Sequence, residues 1–237
     1  MTRRLLAPLA LGLLALFAAC VYSAVDNRLS DEDRQYLNKL MAEAALAPLA
    51  PLPPGANTGT QLAFVIGAQR AVQQLAPINR GLPLGQPREP KDLYLARYGL
   101  CYDRSRVLEK LLRLNGLETR HVALFSLRED GPLGFFLTRR LPSHAVSEVR
   151  TAGGWLLVDS NVPWVSLGHD GAPVALAEIL RSGGQPVGGW DPRFAQMPAF
   201  YREPLLAVYG LYARHGYFYP PYNPLPDIHW GELWQNL

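Results

Sequence analysis

Hydrophobic and polar positions divide the chain into a long apolar opening, several stretches of helical period, and a group of alternating segments. Leu5 to Val25 carries no charge and is rich in Leu and Ala. Beyond it, Ser30-Asp31-Glu32-Asp33 has the form of a helix start. Serine caps, Asp33 stands at the capping-box position, and the acids suit the positive end of the helix. This helix is predicted to run to about Leu46. Ala47 to Gly55 is proline-rich and reads as an extended spacer. Leu62, Phe64, Val65, Ile66, Ala68, Val72 and Leu75 give an apolar face to a second helix, starting at Thr58 or Thr60 and stopped by Pro77. A loop rich in Gly and Pro runs from Asn79 to Pro90. A short helical piece, Lys91 to Arg97, then leads into Tyr98-Gly99-Leu100-Cys101. The clearest helix follows, because Val107, Leu108, Leu111, Leu112 and Leu114 recur at helical spacing. It begins close to Cys101, and Asn115-Gly116 stops it.

Thr119 to Leu127 reads as a strand, and Arg128 to Gly134 as a turn. Ser143 to Arg150 and Trp155 to Val158 alternate apolar and polar residues. Thr151-Ala152-Gly153-Gly154 joins them as a hairpin loop. A helix followed by antiparallel strands predicts the α+β class. Pro173 to Leu180 is predicted helical, stopped by Gly183-Gly184. Pro204 to Arg214 is predicted as another helix, with proline in its first turn. Gly216 to Leu237 is dense in Tyr, Trp and Pro. It either wraps back on the core or presents an aromatic surface.

Charge order gives the opening its meaning. Arg3 and Arg4 precede an uncharged stretch of about 20 residues, enough for a membrane-spanning helix or a secretory signal. The arginines are expected to stay on the cytoplasmic side, sending the rest outward. Leu16-Phe17-Ala18-Ala19-Cys20 also resembles a lipobox, with Cys20 as the lipidated residue. Lipoprotein, uncleaved anchor and secreted protein therefore all stand as readings; the first two, which are favoured, place the body in the cell envelope, on the periplasmic side. Net charge is only +3 of 237 residues, without a basic run, so nucleic acid is not an expected partner. The chain has two cysteines. With Cys20 in the leader, Cys101 is the single thiol of the folded part. That excludes a disulfide framework and a cysteine-built metal site there.

Cys101 is also the candidate nucleophile. Thiols attack carbonyls as thiolates, which helix N-termini and neighbouring imidazoles favour. Helix-start amides supply a donor for a developing oxyanion. Among five histidines, His144 begins one hairpin strand, and Asp159 ends its partner. Imidazole and carboxylate should therefore meet at the open end of the hairpin, the acid fixing the ring toward the thiol. Taken singly, a cysteine fills cores, a strand histidine is satisfied locally, and Asp-Ser-Asn makes turns. The three together point to chemistry.

Residues 87–160 resemble the transglutaminase-like family of the papain-type cysteine enzymes. Gly99-Leu100-Cys101-Tyr102-Asp103, with Leu111 to Val122 after it, is similar to that family's nucleophile helix and following strand. Ser143-His144-Ala145-Val146-Ser147-Glu148-Val149 is similar to its histidine strand, and Gly154-Trp155-Leu156-Leu157-Val158-Asp159 to its aspartate strand. Ser160 departs from the proline often found there, and Arg128 to Leu141 is long for a connection and reads as a lid or substrate loop. The resemblance implies a nucleophile helix packed on a small antiparallel sheet, with Cys101, His144 and Asp159 as the catalytic set. It implies a peptidase, an amidase or transglutaminase-like acyl transfer on amide or thioester bonds. No cofactor or metal is implied. Gln86, Tyr94 and Tyr98 are candidates for a further oxyanion donor. The expected organisation is a leader or anchor at 1–25, a helix and linker at 26–57, the catalytic core at 58–162, and an aromatic-rich extension at 163–237 packed on that core. The expected partners are a peptide or protein substrate in the cell envelope, and the membrane through the leader. The competing expectation is an inactive binding or assembly module on the same fold.

Overall fold

The computed structural model describes residues 2–44, 51–128, 141–182, 196–216 and 226–236. Helix α1 (Thr2–Ser23) is the apolar opening. Among the described residues no helix is long and apolar enough to cross a membrane; the described side chains of α1 begin at Pro8. Helix α2 (Asp31–Glu43) starts where the capping pattern predicts. The Ser30 hydroxyl accepts from the Asp33 amide at 3.1 Å, and Asp33 accepts from the Ser30 amide at 2.9 Å. The helix ends at Glu43, three residues before the expected stop, which itself lies outside the described residues with the first part of the proline-rich spacer. Asn57 caps α3 (Thr58–Leu75), taking the Thr60 amide at 2.9 Å. Helix α4 (Pro90–Ala96) precedes α5 (Cys101–Leu114), whose first residue is the candidate nucleophile.

Three strands follow as predicted, β1 (Glu118–Ser126), β2 (Ser143–Thr151) and β3 (Gly154–Asp159). The β2–β3 register pairs Thr151 with Gly154, leaving Ala152 and Gly153 as the turn. Helix α6 (Leu176–Arg181) is shorter than predicted, and its expected Gly183-Gly184 stop lies outside the described residues. So do positions 129–134 of the predicted turn, positions 129–140 of the predicted lid, and positions 217–225 of the aromatic end. A short 3-10 turn spans Ala199–Arg202.

The predicted helix from Pro204 to Arg214 is instead two strands, β4 (Leu205–Tyr209) and β5 (Leu211–Tyr212). A short apolar run is ambiguous in period. Here Gly210, at φ +70°, breaks it, and the free edge of β1 pairs with Leu205 to Tyr209. The sheet order is β3-β2-β1-β4, with every pair antiparallel. Strand β6 (Asp227–Ile228) pairs with β5, and α7 (Trp230–Gln235) ends the described chain.

The result is an α+β body with a core on each face of the sheet. On one face Leu37, Val65, Val72, Leu108, Leu111 and Leu112 pack with Val149, Leu156 and Val158. On the other, Val122, Leu124, Val146 and Leu157 meet Trp164, Leu176, Met197 and Tyr201. Each fully buried aliphatic side chain contributes about 1.5–3 kcal/mol. Residues 103–112 of α5 are all buried, including Asp103, Arg104, Arg106, Glu109 and Lys110. The helix is thus enclosed on all sides, and its charges are matched internally.

Candidate active site

Cys101 occupies the first turn of α5, where backbone amides lack intrahelical acceptors. The approach to that turn is fixed by Asp103. Its carboxylate accepts from the Leu100 amide at 2.8 Å and the Leu82 amide at 3.3 Å, and it pairs with Arg88 Nε at 2.7 Å. Both side chains of this pair are essentially inaccessible. Arg88 in turn donates to the carbonyls of Gln86 and Leu82 at 2.7 and 2.8 Å. Gly99, two residues before the nucleophile, is closely packed. A Cβ there would lie 2.6 Å from the Leu93 side chain.

The hairpin brings His144 to Asp159. His144 Nε2 is 2.9 Å from Asp159 Oδ2, with side-chain exposures of 12% and 4%. The Cys101 thiol acts on the same ring and favours its charged form. With Nε2 facing the acid, Nδ1 is the nitrogen left for sulfur. Burial opposes the charged ring. The Asp159 carboxylate, its hydrogen bond and the Cys101 contact outweigh that and raise His144 from 6.5 to about 10. Asp159 moves the other way. Burial disfavours its charge, yet His144, the Tyr201 hydroxyl and the Asn161 amide hold it below its ordinary 3.8.

Asp159 divides its two oxygens between two tasks. Oδ1 accepts from the Asn161 amide at 2.7 Å and the Val162 amide at 3.2 Å, the turn chemistry expected of Asp-Ser-Asn. Oδ2 faces His144 and also accepts the Tyr201 hydroxyl at 2.6 Å. Tyr201 is 2% exposed and stacks on Trp164 with centroids 5.0 Å apart. Phe200 meets the His144 ring edge-on at 5.8 Å.

Ser160 replaces the proline of the resembled pattern with a tether. Its hydroxyl donates to the Cys101 carbonyl at 2.9 Å and receives Ser105 Oγ at 3.0 Å. Arg104 ties the nucleophile helix to the same loop, donating to Asn161 Oδ1 at 2.6 Å and to the Ala76 carbonyl at 2.9 Å. Gln69 closes the loop from below. Its amide nitrogen faces the carbonyls of Asp159, Val162 and Trp164 at 2.6, 3.1 and 2.8 Å.

The three candidate oxyanion side chains are otherwise occupied or placed. The Tyr94 hydroxyl is bonded to Glu43 of α2, Tyr98 lies under Arg80 at 4.7 Å, and Gln86 is exposed on its loop. Tyr201, Gln69, Ser160 and Arg104 escape a reading by motif. Tyr201 sits in the least periodic third of the chain, and Gln69 looks like one polar position of a helix. Ser160 and Arg104 show in the pattern only as departures, the one from the expected proline and the other from the residues expected after the cysteine.

His121 belongs elsewhere. Its Nδ1 is 2.7 Å from Glu109 Oε1, which also takes Ser147 Oγ at 2.7 Å, all in the fully buried interior. Tyr212 stacks on the ring at 4.1 Å. Glu232 of α7 joins this cluster, accepting from the His121 amide, Arg113 and Asn27 at 2.8–2.9 Å. A cleft of about 460 Å³ opens beside it, at the opposite end of α5 from Cys101, lined by Asn27, Arg113, Thr119, His229 and Glu232.

The fold is α+β, with the cysteine-bearing helix packed on an antiparallel sheet. Residues 71–160 match the transglutaminase-like superfamily, so the resemblance drawn from the residues around Cys101, His144 and Asp159 is shown for that segment. No curated protein matches the chain. Similar solved structures include an arylamine N-acetyltransferase (NAT) from Salmonella typhimurium, 17% identical over 56% of this chain and 45% of that one, with a TM-score of 0.33. Rad4-Rad23 bound to a 6-4 photoproduct UV lesion is 14% identical over 73% of this chain and 44% of that one, with a TM-score of 0.37. The chain spans less than half the length of each.

Proposed function

We propose that the protein is a cysteine-nucleophile enzyme of the cell envelope, cleaving or exchanging amide or thioester bonds of peptide or protein substrates. The observation that carries this reading is His144 Nε2, 2.9 Å from Asp159 Oδ2, on a ring whose charged form Cys101 also favours. A ring that stays protonated up to about 10 is the conjugate acid of a base strong enough to take and keep the thiol proton before substrate arrives. Cys101 passes its proton to His144 and its sulfur bonds to the substrate carbonyl carbon. The carbonyl electrons move to oxygen, where the first amides of α5 can receive them. Collapse of that adduct breaks the bond to the leaving amine or thiolate, which takes the proton from His144. The acyl-enzyme then passes to water or to an amine, whose proton returns through the same ring to sulfur. Asp159 keeps the ring oriented throughout and holds its charge. Arg3 and Arg4 ahead of the uncharged stretch support export, with the membrane end of the chain at α1.

The test is alkylation of the full chain with iodoacetamide from pH 4 to 9, with the label mapped by peptide to Cys101 or Cys20. Cys101 should label well below the pH at which ordinary cysteines react, with Cys20 as the internal control. His144→Ala should move the Cys101 onset upward. Matching profiles for the two thiols would leave a binding or assembly module as the better reading.

A further inference from the structure

We infer that Trp230 and Trp234 of α7, with the last turns of α1, form a lipid-facing surface that seats the folded body on a bilayer. This rests on the membrane-held reading of the leader, and on nothing in the cysteine chemistry. The described part of α1 is apolar all round. Leu9, Leu11, Leu13, Leu14, Leu16, Phe17 and Val21 are each 59–69% exposed. A helix with no polar face belongs in a protein interior or in lipid.

The end of α1 is fixed to the body at one place. Val25 donates its amide to the Ile228 carbonyl at 2.8 Å, and Arg214 grips the Ala24 carbonyl at 2.9 Å. Two residues past Ile228, the Trp230 indole donates to the Cys20 carbonyl at 3.0 Å. Trp234 lies one turn further on the same face of α7, about 6 Å along its axis. It is 80% exposed, the most of the large hydrophobic side chains among the described residues, and Trp230 is 39% exposed. Tryptophan combines a large apolar ring with one polar N–H, the composition favoured at the headgroup boundary.

The occupant follows from position. Cys20 is where the chain would meet the membrane, whether α1 is retained as an anchor or Cys20 carries the lipid. Trp230 touches that residue, so lipid is the phase nearest the two indoles. Helix α7 is also held rigidly to the body. Glu232 bonds Arg113, Asn27 and the His121 amide, and Gly210 admits the helix so closely that a Cβ there would lie 2.6 Å from the His229 carbonyl. Lipid contact at the tryptophans therefore fixes the whole domain. Cys101 lies about 18 Å along α5 from Arg113, which grips α7, so the thiol is at the far end of that helix from the seat.

The test uses the full chain in phosphatidylcholine vesicles whose acyl chains are plain or brominated, read by tryptophan fluorescence. Bromine should quench the wild type, and Trp234→Phe should lose most of the quenched emission, with Trp230→Phe losing part. Circular dichroism of each variant checks its fold, and the 80% exposure of Trp234 makes that substitution tolerable. A chain that sediments with vesicles but shows equal quenching with and without Trp234 overturns the seat while leaving the anchor intact. A chain that does not sediment with vesicles overturns both. Dimerisation in detergent that depends on Trp234 assigns the surface to a second copy and overturns the lipid assignment.

Discussion

Tyr201 donates its hydroxyl to Oδ2 of Asp159 at 2.6 Å, the same oxygen that faces His144 Nε2. The aromatic segment after α6 thus braces a site whose Cys101, His144 and Asp159 all lie earlier in the chain. The bond also helps hold Asp159 below 3.8 against the effect of burial. A group with a depressed value stabilises the fold above its unfolded value, and loses that contribution as pH falls through the folded one. Tyr201→Phe should therefore cost about 1.5–3 kcal/mol, as expected for a hydrogen bond to a charged group. It should also make acid destabilisation begin at higher pH. Urea unfolding from pH 3 to 7 measures both, and Cys101 alkylation should slow as the ring loses its fixed partner. A uniform loss at every pH would mean that Tyr201 serves packing alone.

His144 carries the opposite sign. Its value rises from 6.5 to about 10, so the stability it contributes is complete below 6.5 and is lost as pH climbs through about 10. Asp159 must stay ionised for the pair to exist, which sets the acid limit below 3.8. The advantage of wild type over His144→Gln should be greatest between those limits, decline above pH 6.5 and vanish beyond about 10. Thermal unfolding of the two proteins across pH 4–11 gives the comparison. An advantage that grows toward alkaline pH would contradict the assigned charges.

Much of this site was legible because its parts are local. The helix stripe of Val107 to Leu114, the alternation on either side of Gly153-Gly154 and the chain positions of His144 and Asp159 each follow from neighbours in sequence. The hairpin register then does the rest. What was not legible depends on distant partners. Leu205 to Tyr209 became a strand because β1 offered an unpaired edge, which no window of its own residues discloses. Five charges of α5 are buried and matched across the fold, which the helix's own residues do not disclose. Lys110, for example, pairs with Asp33 at 2.7 Å, 77 residues away.

The Arg88–Asp103 pair shows what such burial implies for stability. Both side chains are at most 1% exposed, and Asp103 holds the Leu100 amide at the threshold of the nucleophile helix. Burial pushes the Asp103 carboxyl up, with Arg88 among the groups opposing it. Removing one partner of a buried pair costs about 3–5 kcal/mol, because the other charge is left without compensation. Arg88→Met should fall in that range by urea unfolding, and Arg88→Met with Asp103→Leu should recover much of the loss. Recovery fails if the pair's main role is to hold the backbone of Leu82 and Leu100.

Gln69 offers a way to disturb the acid without touching a charged group. Its side chain is fully buried, and its amide nitrogen faces three carbonyls of the loop that begins at Asp159. Two N–H groups serve three acceptors, so the arrangement is shared and depends on the loop keeping its shape. Gln69→Leu preserves approximate volume but removes the side-chain donor; the Val162 and Trp164 carbonyls keep the Trp164 and Asp159 amides at 2.7 and 3.3 Å, so the cost falls mainly on the Asp159 carbonyl, at about 1–3 kcal/mol. The loop should then loosen, and with it the turn in which Oδ1 of Asp159 accepts two amides. Two readouts separate packing from positioning. Unfolding by urea should show the loss of stability, and the pH onset of Cys101 alkylation should move toward that of His144→Ala. Gln69→Glu places a carboxylate against carbonyl oxygens and should be worse than leucine on both counts. If Gln69→Leu unfolds more easily yet leaves the alkylation onset unmoved, the loop carbonyls are structural and Asp159 is held by His144, Tyr201 and its own turn.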